Sequence, residues 1–303
     1  MNFRSLSSTL VCLALLFTVS TGLLAQGEFR VTVLDCTLHG LVAVMKTPTG
    51  KTWLVDTGPG PKADFYAARD VIAPFLEGAG VKALDGIIIS HPHGDHRGGL
   101  PFFIEKYKVG QLVDGGYQEI SGGEMETYRQ HRAQYVASGG TSVFVKTGDK
   151  IQLDTDLEAE ILWPPPGLYR SERISKDGEP YNYNANSVVL RVRHGSNVFI
   201  FPGDNHGIAG LSKFMEPDKL KCDLLVSPHH GLNSNAAMAA ATKPKFVLIA
   251  SLKEYNNPTI HPYELTKEAF EPVGSTVYAT WAHGDITALS DGKTIKVTPA
   301  RQP

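Results

Sequence analysis

The sequence predicts an α/β protein, and three observations carry that reading. Short β-branched runs such as Gly86-Ile87-Ile88-Ile89-Ser90 are too brief for helices and end at turn residues, so they read as buried strands. Segments with helical spacing of apolar residues fall between such runs. The chain has 303 residues, 42% of them hydrophobic and 20% charged, enough for one large α/β domain or two small ones. A net charge of −2 argues against a protein that holds long nucleic acid by charge alone.

Residues 1–25 are expected to lie outside the fold. Met1-Asn2-Phe3-Arg4 brings one positive charge, residues 10–19 form a short apolar core, and Ser20-Thr21-Gly22 and Leu23-Leu24-Ala25 supply small residues for cleavage. This is the pattern of a secretory signal peptide, and the apolar run is short for a membrane span. The expected product is a secreted or periplasmic domain over 26–303 with no membrane span. Cys36 and Cys222 would then be an even pair in an oxidising compartment. Both adjoin predicted strands, which favours a buried apolar role over a disulfide.

Residues 29–35, 41–45 and 52–56 read as a three-strand meander, punctuated by Thr47-Pro48-Thr49-Gly50 and closed by Thr57-Gly58-Pro59-Gly60. Apolar Phe65, Ala68, Ile72, Phe75 and Leu76 predict a helix interrupted by Pro74. A short helix over 100–107, a strand over 111–113 and a polar surface helix over 124–137 follow. Residues 143–145, 150–153 and 157–162 look like strands of a second sheet. The stretch 167–184 reads as a long loop, whose Tyr169, Tyr181 and Tyr183 either stack on a substrate or cover the core edge. Residues 186–192 and 197–201 predict a hairpin through His194-Gly195-Ser196. A strand over 222–227 follows. A last helix with apolar positions Tyr263, Leu265, Ala269 and Phe270, and closing strands from Thr276, complete the chain.

The chemistry concentrates after the strand at Ile87, in His91-Pro92-His93-Gly94-Asp95-His96-Arg97-Gly98-Gly99. In extended backbone, residues two apart point the same way, so His91 and His93 can grip one cation. Gly94 lets the chain turn, and Asp95 and His96 can present to a second cation beside the first. Imidazole and carboxylate suit zinc and its first-row neighbours.

This loop resembles the signature of the metallo-β-lactamase-fold superfamily, His-x-His-x-Asp-His, in full. The resemblance implies a four-layer αββα sandwich. It places Asp56 behind the metal loop as a hydrogen-bonding support, and Asp204, in Pro202-Gly203-Asp204, as the carboxylate bridging both cations. A histidine of Pro228-His229-His230-Gly231 completes the second cation's ligands. Spacing leaves His229 and His230 both open; His229 is the preferred ligand, with His230 facing substrate. Asn186-Ser187, Pro202-Gly203-Asp204, His229-His230-Gly231 and Asn257-Pro258-Thr259-Ile260-His261-Pro262 together resemble one branch of the superfamily. That branch holds the hydrolase domain of ComEC-type competence DNA-uptake proteins and secreted phosphorylcholine esterases. Many members supply the first cation with a third histidine from the segment before the bridging aspartate. Here only His131, on a polar helix, and His194, at a hairpin turn, fall between the metal loop and Asp204. The first cation is thus expected on His91, His93 and Asp204, with Asn184 or Asn186 as further candidates; the second is expected on Asp95, His96, Asp204 and His229.

The implied cofactors are two divalent cations, zinc first and manganese as the alternative. The implied activity is metal-dependent hydrolysis, with a phosphodiester as the favoured bond on the branch resemblance. Carboxylic esters, lactones and β-lactams form the alternative, and a binding protein without turnover is a third class. His261, just before Pro262 at a helix entrance, is expected to line the pocket and act on the leaving group, or else to be a local capping residue. The expected partner is a small-molecule or polymer-end ester.

Overall fold

The computed structural model describes residues 27–117, 122–170, 182–254 and 259–302. The segment expected to be a signal peptide, Tyr181 and Asn257-Pro258 lie outside these.

Two sheets dominate. In the first, Phe29–Val33, Ala43–Lys46 and Thr52–Val55 form the expected antiparallel meander. Gly86–Ile88 and Gln111–Asp114 extend it in parallel, and Ile286–Ser290 and Ile295–Pro299 close its other side. The second sheet runs Thr276–Ala279, Phe246–Ile249, Leu224–Val226, Asn197–Phe201, Val189–His194, Glu158–Trp163, Lys150–Ile151 in spatial order. Its first four strands are parallel.

The layers follow from side-chain alternation. Along the metal-loop strand, Ile88 points between the sheets, where it joins Val31, Met45, Phe199, Leu224 and Leu248 in one core. Ile87 and Ile89 point the other way, into a second core with Ile72, Leu76, Leu100 and Phe103 from the flanking helices. A third core covers the far face of the second sheet, where Ile200, Leu225 and Val247 meet Met238, Ala239 and Phe270. Both faces of the central parallel strands are therefore buried, which explains their continuous apolar runs in place of strict alternation. The resulting order is helix, sheet, sheet, helix, the expected αββα sandwich.

Cys36 lies in the second core and Cys222 in the third, so the two sheets separate them. Both are free and buried, and burial pushes both thiols above their ordinary pKa.

Three local expectations are corrected. Thr141–Phe144 pairs with Gln111–Asp114 and so belongs to the first sheet, because helix Gly123–Ala137 returns the chain to that edge. That helix is not purely a surface element; it buries Met125, Tyr128 and Tyr135, and the Tyr128 hydroxyl donates to buried Asp114 at 2.6 Å. The helix near Pro74 is built as a π-type turn, Ala68–Ile72, followed by Ala73–Gly78. Pro74 falls in the first turn of the latter, where its missing N–H is tolerated.

The parallel strands position the site. Asp56, His91, Asp204 and His229 all follow the carboxyl ends of strands. The strands before Asp56 and His91 are parallel neighbours in the first sheet, and those before Asp204 and His229 are parallel neighbours in the second. Loops there gather at one edge of the sandwich, the usual place for a site in a parallel sheet.

Candidate metal centre

His91 and His93 come together as extended geometry predicts. His93 has φ −63° and ψ 147°, and His91 Nε2 lies 2.9 Å from His93 Nδ1. The short helix Gly94–Arg97 then carries Asp95 and His96 to a neighbouring position. The loop is pinned from behind. Buried Arg97 donates to the Pro92 carbonyl at 2.6 Å and pairs with Glu124. Gly98 is required by close approach, since a Cβ there would sit 1.9 Å from the Gly60 nitrogen.

Asp56 supports the loop as expected. The Ser90 N–H donates to Oδ1 at 2.7 Å and the Ser90 hydroxyl to Oδ2 at 2.8 Å. Oδ2 also meets His96 Nδ1 at 2.7 Å. With its proton on Asp56, the Ser90 hydroxyl can only accept from His91 Nδ1, at 3.0 Å. Both rings are thereby turned so that Nε2 faces the centre, the usual way outer hydrogen bonds aim metal-binding imidazoles. Asp56 itself has φ 60°, a strained conformation held by these bonds.

Asp204 sits between two sets of side chains. Ser187 Oγ accepts its backbone N–H at 3.1 Å. Its Oδ1 is 3.0 Å from His96 Nε2 and 3.7 Å from His230 Nε2. Its Oδ2 is 3.6 Å from His91 Nε2 and 3.9 Å from His229 Nε2. Asp95 Oδ2 lies 3.2 Å from His230 Nε2. Two groups of ligand-type atoms result, each within 4.8 Å: Asp95, His96, Asp204 and His230, and His91, His93 and Asp204.

In the structure it is His230, and not the preferred His229, that stands with Asp95, His96 and Asp204. His230 Nδ1 bonds the Ala250 carbonyl at 2.8 Å, which directs Nε2 at Asp95 and Asp204. The reason is backbone conformation. His229 and His230 have φ 50° and 55°, followed by Gly231 at 86°. This left-handed turn splays two adjacent rings to different sides, which spacing alone does not reveal. His229 Nδ1 bonds Asn233 Oδ1, and its Nε2 faces Asn184 Nδ2 at 3.4 Å.

His261 stands at the helix entrance, as its position before Pro262 suggests. It does cap the helix Pro262–Phe270 by position, but makes no side-chain capping bond and does not line the cavities at the centre. The helix packs behind the tandem-histidine turn, where Thr266 Oγ1 meets Ser234 Oγ at 2.8 Å. His131 sits on helix Gly123–Ala137, and His194 Nδ1 bonds Ser290 Oγ at 2.9 Å; neither joins the groups. Tyr183 packs its ring on His93 at 5.2 Å, whereas Tyr169 packs on Trp163 at 5.7 Å.

Sequence reasoning missed His39. Its ring lies 3.9 Å from that of His230, and its Nε2 is 3.4 Å from Asp95 Oδ2. The available signal was Gly40, whose added Cβ would sit 2.6 Å from the Asp95 carbonyl. That close approach, together with the Leu41 N–H donating to the Asp95 carbonyl at 3.1 Å, brings loop 38–41 against the metal loop.

Electrostatics match a cation centre. Burial, then His96, hold His91 well below the ordinary imidazole pKa, so its lone pair is available. Burial opposes charge on His96, but Asp204, Asp56 and Asp95 outweigh it and hold its pKa well above the ordinary value. Burial pushes the Asp204 pKa up, but His96, His230 and His91 outweigh this and hold it well below the carboxylate range. Burial and then His230 push His39 down to about 3. Asp204 Oδ1 is buried and, beyond the imidazole nitrogens of His96 and His230 that flank it, has no partner among the described residues. A buried carboxylate oxygen amid imidazole nitrogens fits a divalent cation, as does an all-nitrogen and oxygen donor set.

A polar chamber of about 390 Å³ opens over the groups, lined by His39, His93, Asp95, Glu124, Asn184, Asp204 and His229. It shares His39, Gly94 and Asp95 with a larger groove of about 790 Å³ that continues past Pro59, Tyr66 and Phe102.

Comparison with known proteins agrees. The family model of the metallo-beta-lactamase superfamily matches residues 38–236. Competence protein ComA of Neisseria gonorrhoeae is 30% identical over 260 residues, covering 84% of this chain and 31% of that protein. ComE operon protein 3 of Bacillus subtilis (strain 168) is 26% identical over 226 residues, 73% of this chain and 26% of the other. The chain thus spans about a quarter to a third of the length of these curated relatives. Among solved structures, Igni18, a metallo hydrolase from the archaeon Ignicoccus hospitalis KIN4/I, aligns with TM-score 0.53 at 12% identity, over 86% of this chain and 98% of that one. Tm1679, a metal-dependent hydrolase of the beta-lactamase superfamily, aligns with TM-score 0.50 at 18% identity, over 85% and 98%. With its His/Asp centre at the strand ends of an αββα sandwich, the chain belongs to the metallo-beta-lactamase superfamily, in the branch that resembles the competence proteins.

Proposed function

We propose that this protein is an exported metal-dependent hydrolase that uses two divalent cations, zinc in the first instance, to cleave a phosphodiester. The observation that carries the metal reading is Asp204, whose two oxygens each face histidine nitrogens and whose Oδ1 lacks any other partner among the described residues. Asp95, His96, Asp204 and His230 would hold one cation, and His91, His93 and Asp204 the other. Cations bound there would supply Lewis acidity and a hydroxide near neutral pH.

The chain's own residues do the rest. Asp56 and Ser90 fix the orientation of His91 and His96, and the Ala250 carbonyl fixes that of His230. The chamber lining brings carboxylates from Asp95, Glu124 and Asp204 but, among the described residues, no lysine or arginine. Without cations that lining repels an anionic ester, so turnover of a phosphodiester should depend wholly on metal. Asn184 presents a buried Oδ1 without a partner among the described residues, suited to hold a water or a substrate hydroxyl at the chamber wall. Lys219, Lys221 and Lys245 pair with Glu160, Asp218 and Asp223.

The phosphodiester choice is supported by the resemblance to competence-protein hydrolase domains and phosphorylcholine esterases. Export is supported by the pattern of residues 1–25. Metal analysis of the purified protein, followed by a bis-aryl phosphodiester, a lactone and a cephalosporin, tests the reading. Metal-dependent diester cleavage is expected. Preference for the lactone or cephalosporin would overturn the substrate class, and ligand binding with no metal would favour a non-catalytic binding protein. An intact Met1 N-terminus on protein recovered outside the cytoplasm would overturn signal removal.

A further inference from the structure

The first ligand group has only two histidines where many superfamily members have three, and the structure offers a replacement. We propose that His229 completes the first cation site, so that the tandem His229-His230 serves both sites, one ring each. This rests on the two-cation reading above and not on the identity of the substrate.

Asp204 divides the surroundings into two halves. His96 and His230 flank Oδ1 at 3.0 and 3.7 Å, and His91 and His229 flank Oδ2 at 3.6 and 3.9 Å. Ligand atoms about 2.0–2.2 Å from a tetrahedral zinc lie roughly 3.3–3.6 Å from one another. His229 Nε2 is a few tenths of an ångström beyond that range from Oδ2 and stands outside the 4.8 Å group of His91, His93 and Asp204, so its ring must move inward to complete the site. Its tautomer is suitable. Asn233 Oδ1 accepts the Nδ1 proton, which leaves the Nε2 lone pair facing the chamber beside Asn184 Nδ2. The arrangement repeats that of His230, whose Nδ1 proton goes to the Ala250 carbonyl.

Backbone conformation gives a second, independent reason. Two successive non-glycine residues at φ 50° and 55° are unfavourable by on the order of 1–2 kcal/mol each. A single ligand would need only one side chain there, and glycine at the other position would relieve half the strain. The pair persists in a turn that aims two rings, with centroids 6.4 Å apart, at opposite oxygens of one carboxylate.

The test counts and ranks metal binding without substrate. Full-length protein is stripped with chelator and titrated with Zn²⁺ by calorimetry, and with Co²⁺ by its visible spectrum; elemental analysis fixes the stoichiometry. The parent should bind two equivalents. His229→Ala should keep one tight equivalent and lose the other or weaken it by at least ~10-fold, and His230→Ala should do the same with a different Co²⁺ spectrum. Asn233→Leu, which leaves His229 in place, should weaken one site by roughly 10–100-fold, and Asn233→Asp should restore it. Circular dichroism of each stripped variant checks folding. Two equivalents at unchanged affinity in both His229→Ala and Asn233→Leu would overturn the proposal and leave His229 as a substrate contact. A parent that binds two cations in this way but cleaves no diester would overturn the substrate reading alone.

Discussion

The two loops that supply histidines are built by opposite means. In the metal loop, His93 has ordinary extended backbone, and the helix Gly94–Arg97 follows at once. Its histidines are spread over six positions, and regular geometry brings them together. In the tandem turn, His229, His230 and Gly231 are all left-handed, and regular geometry would have sent the adjacent rings elsewhere. The first loop is held from behind by hydrogen bonds, from Arg97 to the Pro92 carbonyl, from Thr57 to the His96 carbonyl and between Asp56 and the His96 ring. The second is held by hydrogen bonds to its ring nitrogens and by helix Pro262–Phe270 at its back. Regular backbone can carry a dense ligand motif without strain, whereas a ligand pair at one spot needs strain and a support that maintains it.

The largest expected effect is at the joint between the loops. His96→Ala removes the ring that meets Asp204 Oδ1 and Asp56 together. It should empty the second site, bring turnover to the detection limit and leave the far-ultraviolet circular dichroism unchanged. Full metal content with full turnover would remove His96 from the centre. Asp56→Asn should act next most strongly. It retains size but can no longer accept from both Ser90 and His96 with full charge, and metal affinity should fall roughly 10–100-fold, read by chelator competition. No change would reduce Asp56 to a structural end of its strand.

The contrast also explains what the sequence could reveal. His91, His93, Asp95 and His96 are legible because side-chain direction in extended backbone follows spacing. The assignment of His229 and His230 is not, because spacing carries no information on the sign of φ. Gly231 is the only local hint. Asp204 and Asp56 are legible through family resemblance, since an aspartate after a strand is common in itself. His39 and Asn233 reach the centre by loop packing and a local side-chain bond, and neither leaves a periodic trace. The strand expected over 143–145 lies in the other sheet for a related reason: apolar patterning identifies a strand, but pairing depends on where the preceding helix delivers it.

Gly231→Ala probes the strained loop directly. At φ 86° a Cβ is unfavourable, and it would meet Thr266 Oγ1 at 2.8 Å and the Pro262 carbonyl at 3.1 Å. Stability measured by urea unfolding should fall by about 1–2 kcal/mol, with weakened binding of both cations, because the turn aims both rings. Loss of stability with untouched metal affinity would show that the rings are positioned independently of the turn.

Gly94→Ala is the matching change in the regular loop and should have the smallest effect. The sequence suggests that Gly94 lets the chain turn, but it has no left-handed φ; the turn is made by ordinary helical backbone. A Cβ there would meet nothing closer than Glu124 Oε2 at 3.8 Å, an ordinary contact. Stability should therefore stay within about 0.5 kcal/mol, and both cations should bind as before. What the methyl group does change is space, since Gly94 borders both the chamber and the adjoining groove. A KM raised a few-fold for a bulky aryl diester, and unchanged for a methyl ester, is the expected signature of a glycine that keeps the substrate path open. Equal effects on both esters would assign Gly94 to the backbone after all, and lost metal would mean that the regular loop is as tightly constrained as the strained one.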